Sequence, residues 1–385
     1  MKIRLLIAFL SALVFSAVTA SAQVSPSQID AIFASLKSND APGAAVLVVR
    51  NGRAAFRRGY GVTDLRTRAK IDERTNFRLA SFTKQFTAAC IMLLARDGKL
   101  HYDDHLTDFF PEFPAYGKAI TVRNLLNHTS GLPDYGELLM KQYPDMPPEK
   151  VPQILDAGVL KLLEQQSSGE FPPGTKWEYS NSGYAVLAMI VEKVSGKPFG
   201  QFLHERIFAP LKMTNTVAYE KGKNEVPHRA YGHSKIDDKK LDDKKIKDDD
   251  KAATFQETDQ SPTSAVLGDG GIYSSLDDLA KWDRALRDHT LLRAAEMQPA
   301  LTPVQPSGGP AKLEDASNVS YGFGWFLDPY RGHKRMSHDG GTIGFRTTIQ
   351  RFTDDGLTII VLANRTDVNP EELALKVADL YIPTR

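Results

Sequence analysis

The alternation of apolar and polar residues predicts strands near both ends of the chain. Apolar residues 44–49 end in β-branched side chains, Asn51-Gly52 is a two-residue hairpin turn, and residues 54–60 can return as the partner strand. Late in the chain, Asp354-Asp355-Gly356 forms a second turn between two apolar runs. The predicted strands are residues 44–49, 54–60, 321–327, 334–337, 347–352 and 357–363.

Helical spacing of apolar residues dominates the middle of the chain. From Phe82 to Arg96 they recur every three to four residues, and Gly98 suits the C-terminal cap of a buried helix. Further helices are predicted over residues 122–127, 151–164, 184–194 and 371–381. Strands at both ends with helices between them indicate an α/β (α+β) fold, in which a central antiparallel sheet flanked by helices carries a second, helical lobe. We expect a functional site at the seam between the lobes.

The first 22 residues have the pattern of a secretory signal peptide. Lys2 and Arg4 precede the apolar run Leu5 to Val18, which ends in Ala20-Ser21-Ala22. The run is shorter than the roughly 20 residues that span a bilayer, so we expect cleavage, export to the periplasm or the medium, and no stable membrane insertion afterwards. Residues 23–385 then form one domain, with an α/β lobe at about 23–80 and 265–385 and a helical lobe at about 81–264.

Composition narrows the classes of function. The 385 residues are 42% hydrophobic and 25% charged, as in globular proteins. Lys plus Arg is 48 against 47 for Asp plus Glu, and losing Lys2 and Arg4 gives 46 against 47, so no basic excess favours nucleic acid. The single cysteine, Cys90, excludes an internal disulfide and a multi-thiolate metal site. Residues 235–251 hold seven lysines and seven aspartates, which predicts a solvated loop or hairpin.

Ser81-Phe82-Thr83-Lys84 is the first candidate for chemistry. A three-residue step along a helix returns to the same face, so the Lys84 amine should lie beside the Ser81 hydroxyl. A lysine that burial keeps neutral can take the proton of a serine and make it a nucleophile. The structural alternative is a capping serine followed by a solvated lysine.

Tyr179-Ser180-Asn181 is the second candidate, in a loop between Pro172-Pro173-Gly174 and a predicted helix. Tyrosine can relay a proton to a leaving group. The Asn181 amide can donate to a substrate carbonyl and accept from a substrate N–H. Alternatively, Tyr179 is a core residue and Asn181 caps the helix.

His338-Asp339-Gly340-Gly341 is the third candidate and follows a predicted strand. Glycines let the backbone approach a ligand closely, so the N–H of Gly341 could pair with that of Ser81 as an oxyanion hole, beside His338. The alternative is a plain hairpin turn.

Other residues carry weaker signals. His101 and His105 invite a metal site only if their segment is helical, and Gly98 and Pro111 favour a loop, so no metal is expected. His128 could be the base of a Ser-His-Asp triad, but a role at the lobe interface is favoured. Cys90 lies on an apolar helix face and is expected to pack. Trp177 and Tyr135 line a cleft or belong to the core.

The three motifs, in this order, resemble those of the serine β-lactamase and penicillin-binding-protein superfamily. The stretches 120–135, 171–183 and 268–279 resemble its class C β-lactamase, esterase and D-peptidase branch. The resemblance covers nearly all of the chain after the leader. It implies Ser81 as the acylated nucleophile, Lys84 as its base, alone or together with Tyr179, and Asn181 as a group that orients the substrate amide. It also implies a β-lactamase/transpeptidase-like fold.

One departure bears on the substrate. Class C β-lactamases carry Lys-Thr-Gly where this chain has His338-Asp339-Gly340, a form more similar to that of D-aminopeptidases and esterases. A neutral imidazole binds a carboxylate less well than a permanent ammonium does. Arg346 could supply a charge instead, or be a surface residue.

The sequence therefore predicts an exported serine hydrolase that acts through an acyl-enzyme on ester or amide carbonyls of a small molecule or peptide, including D-amino-acid peptides, with no cofactor. The alternatives within enzymes are a D-alanyl-D-alanine carboxypeptidase and a weak β-lactamase. An alternative of another class is a catalytically silent module that binds cell-wall fragments. The sequence sets neither the acyl-chain preference nor the oligomeric state.

Overall fold

The structure is a computed structural model that describes residues 24–236, 254–313 and 315–383. The predicted leader at residues 1–22 and most of the predicted lysine- and aspartate-rich loop at 235–251 lie outside the described residues.

A five-stranded antiparallel sheet has the order β2-β1-β10-β9-β8. The described strands are β1 (Ala44–Arg50), β2 (Arg53–Tyr60), β3 (Phe77–Arg78), β4 (Val217–Ala218), β5 (His233–Lys235), β6 (Phe255–Glu257), β7 (Ile272–Ser274), β8 (Arg335–Thr342), β9 (Phe345–Phe352) and β10 (Leu357–Ala363). β1 pairs with β10 from Ala44 opposite Ala363 to Arg50 opposite Leu357. The two ends of the chain therefore build one sheet, as the sequence predicted.

The edge of this sheet differs from the prediction. His338-Asp339-Gly340-Gly341 lies inside β8 and not after it, and the hairpin turns at Ile343 and Gly344. The predicted strand at 321–327 is wrong, because Tyr321 and Phe326 form only isolated bridges. Gly324 at φ 74° reverses the chain between them. Phe326 then pairs with Ser337 on the outer side of β8.

The described part of the chain contains twelve α-helices. They are α1 (Pro26–Ile32), α2 (Lys84–Arg96), α3 (Leu106–Phe109), α4 (Val122–Leu126), α5 (Tyr135–Gln142), α6 (Asp156–Glu164), α7 (Asn181–Ser195), α8 (Phe199–Leu203), α9 (Leu267–Gly270), α10 (Leu276–Arg287), α11 (Ala294–Met297) and α12 (Pro370–Ala378). α6 begins five residues later than predicted, since Pro152 interrupts residues 151–155. α7 begins earlier, because the Ser180 side chain accepts from the Gly183 N–H and caps it.

The sheet divides the apolar core into two layers. α1 and α12 pack on one face, where Phe33, Val46 and Ile359 are buried. On the other face Leu47, Ile349 and Ile360 join the larger cluster that α2 and α7 fill. This architecture is the predicted α/β fold, with a central antiparallel sheet flanked by helices. Within the described ranges, no helix combines the length and the apolar character needed to cross a membrane.

Candidate active site

Ser81 lies in a tight turn at the seam between the sheet and α2. A 3₁₀ turn, Ala80–Thr83, joins β3 to α2, so Ser81 stands just before the N-terminus of a buried helix. Ala80 has φ 50°, a left-handed conformation that costs a non-glycine residue free energy. The first N–H groups of such a helix have no acceptor within it. The turn therefore presents both the hydroxyl and the N–H of Ser81.

Lys84 points back at Ser81 from the start of α2. Its Nζ lies 3.1 Å from Ser81 Oγ, 2.8 Å from Asn181 Oδ1 and 3.0 Å from the carbonyl oxygen of Asp269. The two carbonyl oxygens can only accept, so they take two N–H donors whether the amine is neutral or charged. In the neutral amine the lone pair occupies the third direction. Ser81 then donates its proton to Lys84, which is the arrangement a general base requires.

Burial makes the neutral form of Lys84 accessible. The side chain is fully buried. Burial lowers the pKa of Lys84 to about 8, against a smaller opposing effect from the negative charge of Asp269. The rings of Tyr179 and Tyr184 lie 4.8 and 5.5 Å from Nζ and stabilise its charged form in part.

Tyr179 enters the site from the loop before α7. Its hydroxyl makes no complete hydrogen bond to a described residue, yet it is close enough to Ser81 for that contact to favour the phenolate. Burial nevertheless raises the pKa of Tyr179 well above its ordinary value. A neutral phenol at this position can pass on a proton, and the role of second base that the resemblance implies stays a prediction.

Asn181 is the first residue of α7 and already has a partner. Its Oδ1 accepts from Lys84 with one of its two lone pairs. Acceptance from a substrate N–H, which the sequence suggested, therefore stays a prediction. Its Nδ2 remains available to donate.

His128 holds the Tyr179 loop and does not contact Ser81. Its Nδ1 accepts from the Ser180 N–H at 3.0 Å, and its ring centroid lies 4.4 Å from that of Tyr179 and 4.6 Å from that of Tyr321. Burial and the charge of Lys84 lower the pKa of His128 well below its ordinary value. His128 is a neutral packing residue at the interface and has no carboxylate partner in the described part of the chain.

β8 brings the two glycines of the third motif to the Ser81 turn. Ser337 and Phe326 exchange two backbone hydrogen bonds of 2.9 Å on the outer side of β8. The direction of the N–H alternates from one residue of a strand to the next, so Gly341, four residues after Ser337, also presents its N–H to that outer edge. A side chain at Gly340 would meet the Leu79 carbonyl oxygen at 2.0 Å. Gly340 therefore lets the strand approach the segment that precedes Ser81.

His338 packs beside the rings of Tyr179 and Phe326 but offers no charge. Its Nδ1 lies 2.7 Å from the Asp339 carbonyl oxygen and must donate, so Nε2 accepts from the Tyr321 hydroxyl at 3.2 Å. Burial, and secondarily the charge of Lys84, lower the pKa of His338 to about 3. Both ring nitrogens are engaged within the protein. His338 thus contributes a neutral polar ring to the packing beside Tyr179 and no charge for a substrate.

Arg346 lies at the start of β9, beside the third motif. It stands opposite Gly341 in the hairpin, and its Nη1 donates to the carbonyl oxygens of Thr342 and Phe345 at 2.7 and 2.8 Å. Within the described ranges it forms no ion pair. A cleft of about 760 Å³ opens beside Tyr179, with Trp177 and Phe326 on its walls and Lys176 and Lys312 at its rim.

The remaining candidates stand apart from this site. His101 and His105 are exposed in a loop and at the start of α3. Within the described ranges, no three His, Cys, Asp or Glu residues are grouped to hold a metal ion. Cys90 is buried, and burial raises the pKa of its thiol. Tyr135 is a buried residue outside the cleft, with its hydroxyl on Asp269.

Sequence reasoning missed Asp269. It lies in Gly268-Asp269-Gly270, within a stretch recognised only as family-like. An acidic residue between glycines before a buried strand was the available signal. Its contact with Lys84 joins residues 185 positions apart and could not be derived from spacing.

Comparison with known proteins places this geometry in a family. The beta-lactamase family model matches residues 29–382. Penicillin-binding protein 4* of Bacillus subtilis (strain 168) is 31% identical over 357 residues, which are 91% of this chain and 74% of that protein. A D-aminopeptidase of Cereibacter sphaeroides is 28% identical over 84% of this chain, which spans only 57% of that protein.

Solved structures show the same fold. The D-amino acid amidase of Ochrobactrum anthropi SV3 in complex with L-phenylalanine amide has a TM-score of 0.73 at 24% identity, covering 92% of this chain and 96% of its own. A penicillin binding protein of Bacillus halodurans has a TM-score of 0.73 at 22% identity, covering 92% and 99%. With the family model matched over nearly the whole chain, this protein belongs to the beta-lactamase family of serine hydrolases.

Proposed function

We propose that the protein is an exported hydrolase that forms an acyl-enzyme at Ser81 with ester or amide substrates. Lys84 takes the Ser81 proton as Oγ attacks the carbonyl carbon. The N–H groups of Ser81 and Gly341 stabilise the oxyanion. The leaving group departs with a proton that Lys84 returns through Tyr179, and water then hydrolyses the acyl-enzyme.

The contacts of Lys84 are the observation that carries this proposal. Two of its three partners are carbonyl oxygens, so the neutral amine has one direction left for its lone pair, and Ser81 occupies it. A catalytically silent binding module has no need of a buried amine held this way.

Neutral esters and amides, including D-amino-acid amides, are the substrates that the site favours. His338 is uncharged and engaged with Tyr321, so it provides no fixed cation for a substrate carboxylate. The named D-aminopeptidase and D-amino acid amidase support the D-amino-acid class. A D-alanyl-D-alanine carboxypeptidase is the second candidate, because Arg346 beside Gly341 donates only to backbone carbonyl oxygens, forms no ion pair within the described ranges and could receive a terminal carboxylate. Weak β-lactamase activity would rest on the same residue.

A substrate panel on one purified sample tests the proposal. We expect turnover of nitrophenyl esters and D-amino-acid amides, slower release of D-alanine from D-alanyl-D-alanine peptides, and little hydrolysis of nitrocefin. Ser81→Ala should abolish all of them, while Ser27→Ala, an exposed serine on α1, should change none. Turnover by Ser81→Ala at the wild-type rate would contradict the assignment of the nucleophile.

Export is tested on the chain expressed in a bacterial host. We expect a product that starts at Gln23, recovered from the periplasm or the medium. N-terminal sequencing that finds Met1 on a cytoplasmic product would contradict the leader.

A further inference from the structure

Behind Lys84 lies a buried polar network that the proposed reaction leaves unused. The carbonyl oxygen of Asp269 accepts from Lys84 Nζ at 3.0 Å, while its Oδ2 accepts from the Tyr135 hydroxyl at 2.8 Å. Asp269 and Tyr135 are only 8% and 4% exposed. Buried carboxylates are costly unless hydrogen-bonded or compensated by charge, so this one requires an explanation.

The short helix α9 that carries Asp269 is fixed from three sides. Asp156 accepts from the N–H groups of Leu267 and Gly268 at 2.8 and 3.0 Å. Thr87 donates to the Gly268 carbonyl oxygen at 2.6 Å. Arg78 donates to the carbonyl oxygens of Gly270 and Ser264 at 3.1 and 2.9 Å. Asp269 is thus held rigidly against Lys84.

Asp269 is an acidic residue that contacts Lys84 directly, through its main-chain carbonyl oxygen. The groups that face the amine from the other elements are Ser81, Asn181, the rings of Tyr179 and Tyr184, and the neutral rings of His128 and His338. Burial raises the pKa of Asp269, while Lys84, Tyr135 and Arg78 each favour its ionised form. The negative charge of Asp269 in turn raises the pKa of Lys84.

We propose that the Asp269 carboxylate, held by the Tyr135 hydroxyl, is a positioning residue that sets the balance between the charged and neutral forms of Lys84. This inference rests on the proposed role of Lys84 as the base. It gives Asp269 a function that its contact through the main chain alone would not require, because any residue can supply a carbonyl oxygen.

The test is the pH dependence of inactivation by a fluorophosphonate, which reports the nucleophilicity of Ser81 without a natural substrate. Asp269→Asn removes the charge and keeps the size, so Lys84 loses its proton more easily. We expect the half-maximal pH to fall by about one unit. Tyr135→Phe removes the hydroxyl donor, weakens the ionised form of Asp269, and should shift the midpoint in the same direction by less.

Asp156 provides the control, because it is a second buried carboxyl group that contacts α9. Burial raises the pKa of Asp156 to about 7. Asp156→Asn should slow inactivation by disturbing α9 while leaving the midpoint in place. If inactivation of Asp156→Asn no longer slows at low pH, the group that titrates there is Asp156, and the proposal is overturned.

The possible results distinguish a failure of the role proposed for Asp269 from a failure of the proposed serine hydrolase mechanism. If Asp269→Asn reacts more slowly at every pH with an unchanged midpoint, Asp269 is merely structural and the inference fails while the serine hydrolase stands. If Asp269→Asn does not fold, Tyr135→Phe decides, and an unchanged midpoint there overturns the proposal. If Lys84→Met reacts like the wild type, the proposed base itself is wrong.

Discussion

At the scale of single residues, the proposed chemistry depends on the Lys84 amine. Two of its three partners are carbonyl oxygens, so Ser81 is the partner that can give it a proton. The step from Ser81 to Lys84 could be predicted from the sequence, because residues three apart share a helix face. The two carbonyl oxygens that orient the lone pair come from Asn181 and Asp269, which are distant in the chain. Such contacts follow from tertiary packing, and no local pattern encodes them.

The pKa of Lys84 predicts the pH dependence of turnover. Only the neutral amine accepts the Ser81 proton, and the pKa is lowered to about 8. The kcat/KM for a neutral nitrophenyl ester should therefore rise through pH 8 and be lost on the acid side. A rate that is constant between pH 6 and 9, after correction for spontaneous hydrolysis, would contradict Lys84 as the base.

Replacing the amine should separate catalysis from stability. Lys84→Met keeps most of the buried chain length and removes the base, so turnover should fall by about 10²- to 10⁴-fold. The variant loses the hydrogen bonds of the amine but no longer has to bury that polar group, and these two effects oppose each other. The thermal midpoint of the variant should therefore stay within about 4 °C of the wild-type value. Lys99→Met, at an exposed lysine, is the matched control and should retain the wild-type rate.

At the scale of elements, the long periodic segments could be predicted from the sequence, whereas the position of the third motif within the edge strand β8 could not. β10 was predicted at its exact bounds, because a fully buried strand reads as a continuous apolar run. The third motif was placed after a strand, either as an oxyanion-hole segment or as a plain hairpin turn, since consecutive glycines usually mark a turn. The structure places it inside β8, and the packing of Gly340 against Leu79 became visible only with the tertiary contacts.

The two neighbouring glycines of β8 allow a matched comparison. Gly340→Ala forces a methyl group against the Leu79 carbonyl oxygen and should cost about 1–3 kcal/mol of stability and much of the activity. Gly341→Ala meets nothing closer than Arg346 Nη1 at 3.8 Å and keeps its N–H, so it should be active.

Gly341→Pro removes that N–H at an edge position where proline is tolerated. It should fold and lose about 10²-fold in kcat. Denaturant titration and ester turnover check the three variants. Equal activity of the alanine and proline variants at Gly341 would exclude its N–H from the oxyanion hole.

At the scale of the whole molecule, stability depends on how α10 is joined to the sheet. Arg351 of β9 donates through Nε to Asp283 of α10 at 2.8 Å, and Thr358 of β10 donates to the same oxygen at 2.8 Å. Both charged side chains are less than a tenth exposed. The pairing of β1 with β10 could be predicted from strands at both ends. This ion pair could not, because its partners are 68 residues apart with no periodic signal.

Removing one partner of this ion pair should destabilise the protein more than removing both partners. Asp283→Ala leaves a buried guanidinium without its carboxylate and should cost about 3–5 kcal/mol of unfolding free energy in urea. The double variant Asp283→Leu with Arg351→Met removes both charges and should lose far less. If the single and double variants are equally unstable, the pair does not act as a compensated unit.

The covalent adduct formed with a fluorophosphonate tests the central claim most directly. Intact-mass spectrometry followed by peptide mapping should find one adduct per chain, on Ser81, formed faster at pH 9 than at pH 6. Ser81→Ala should give no adduct while unfolding like the wild type. An adduct on another residue, or none on folded wild-type protein, would contradict the account.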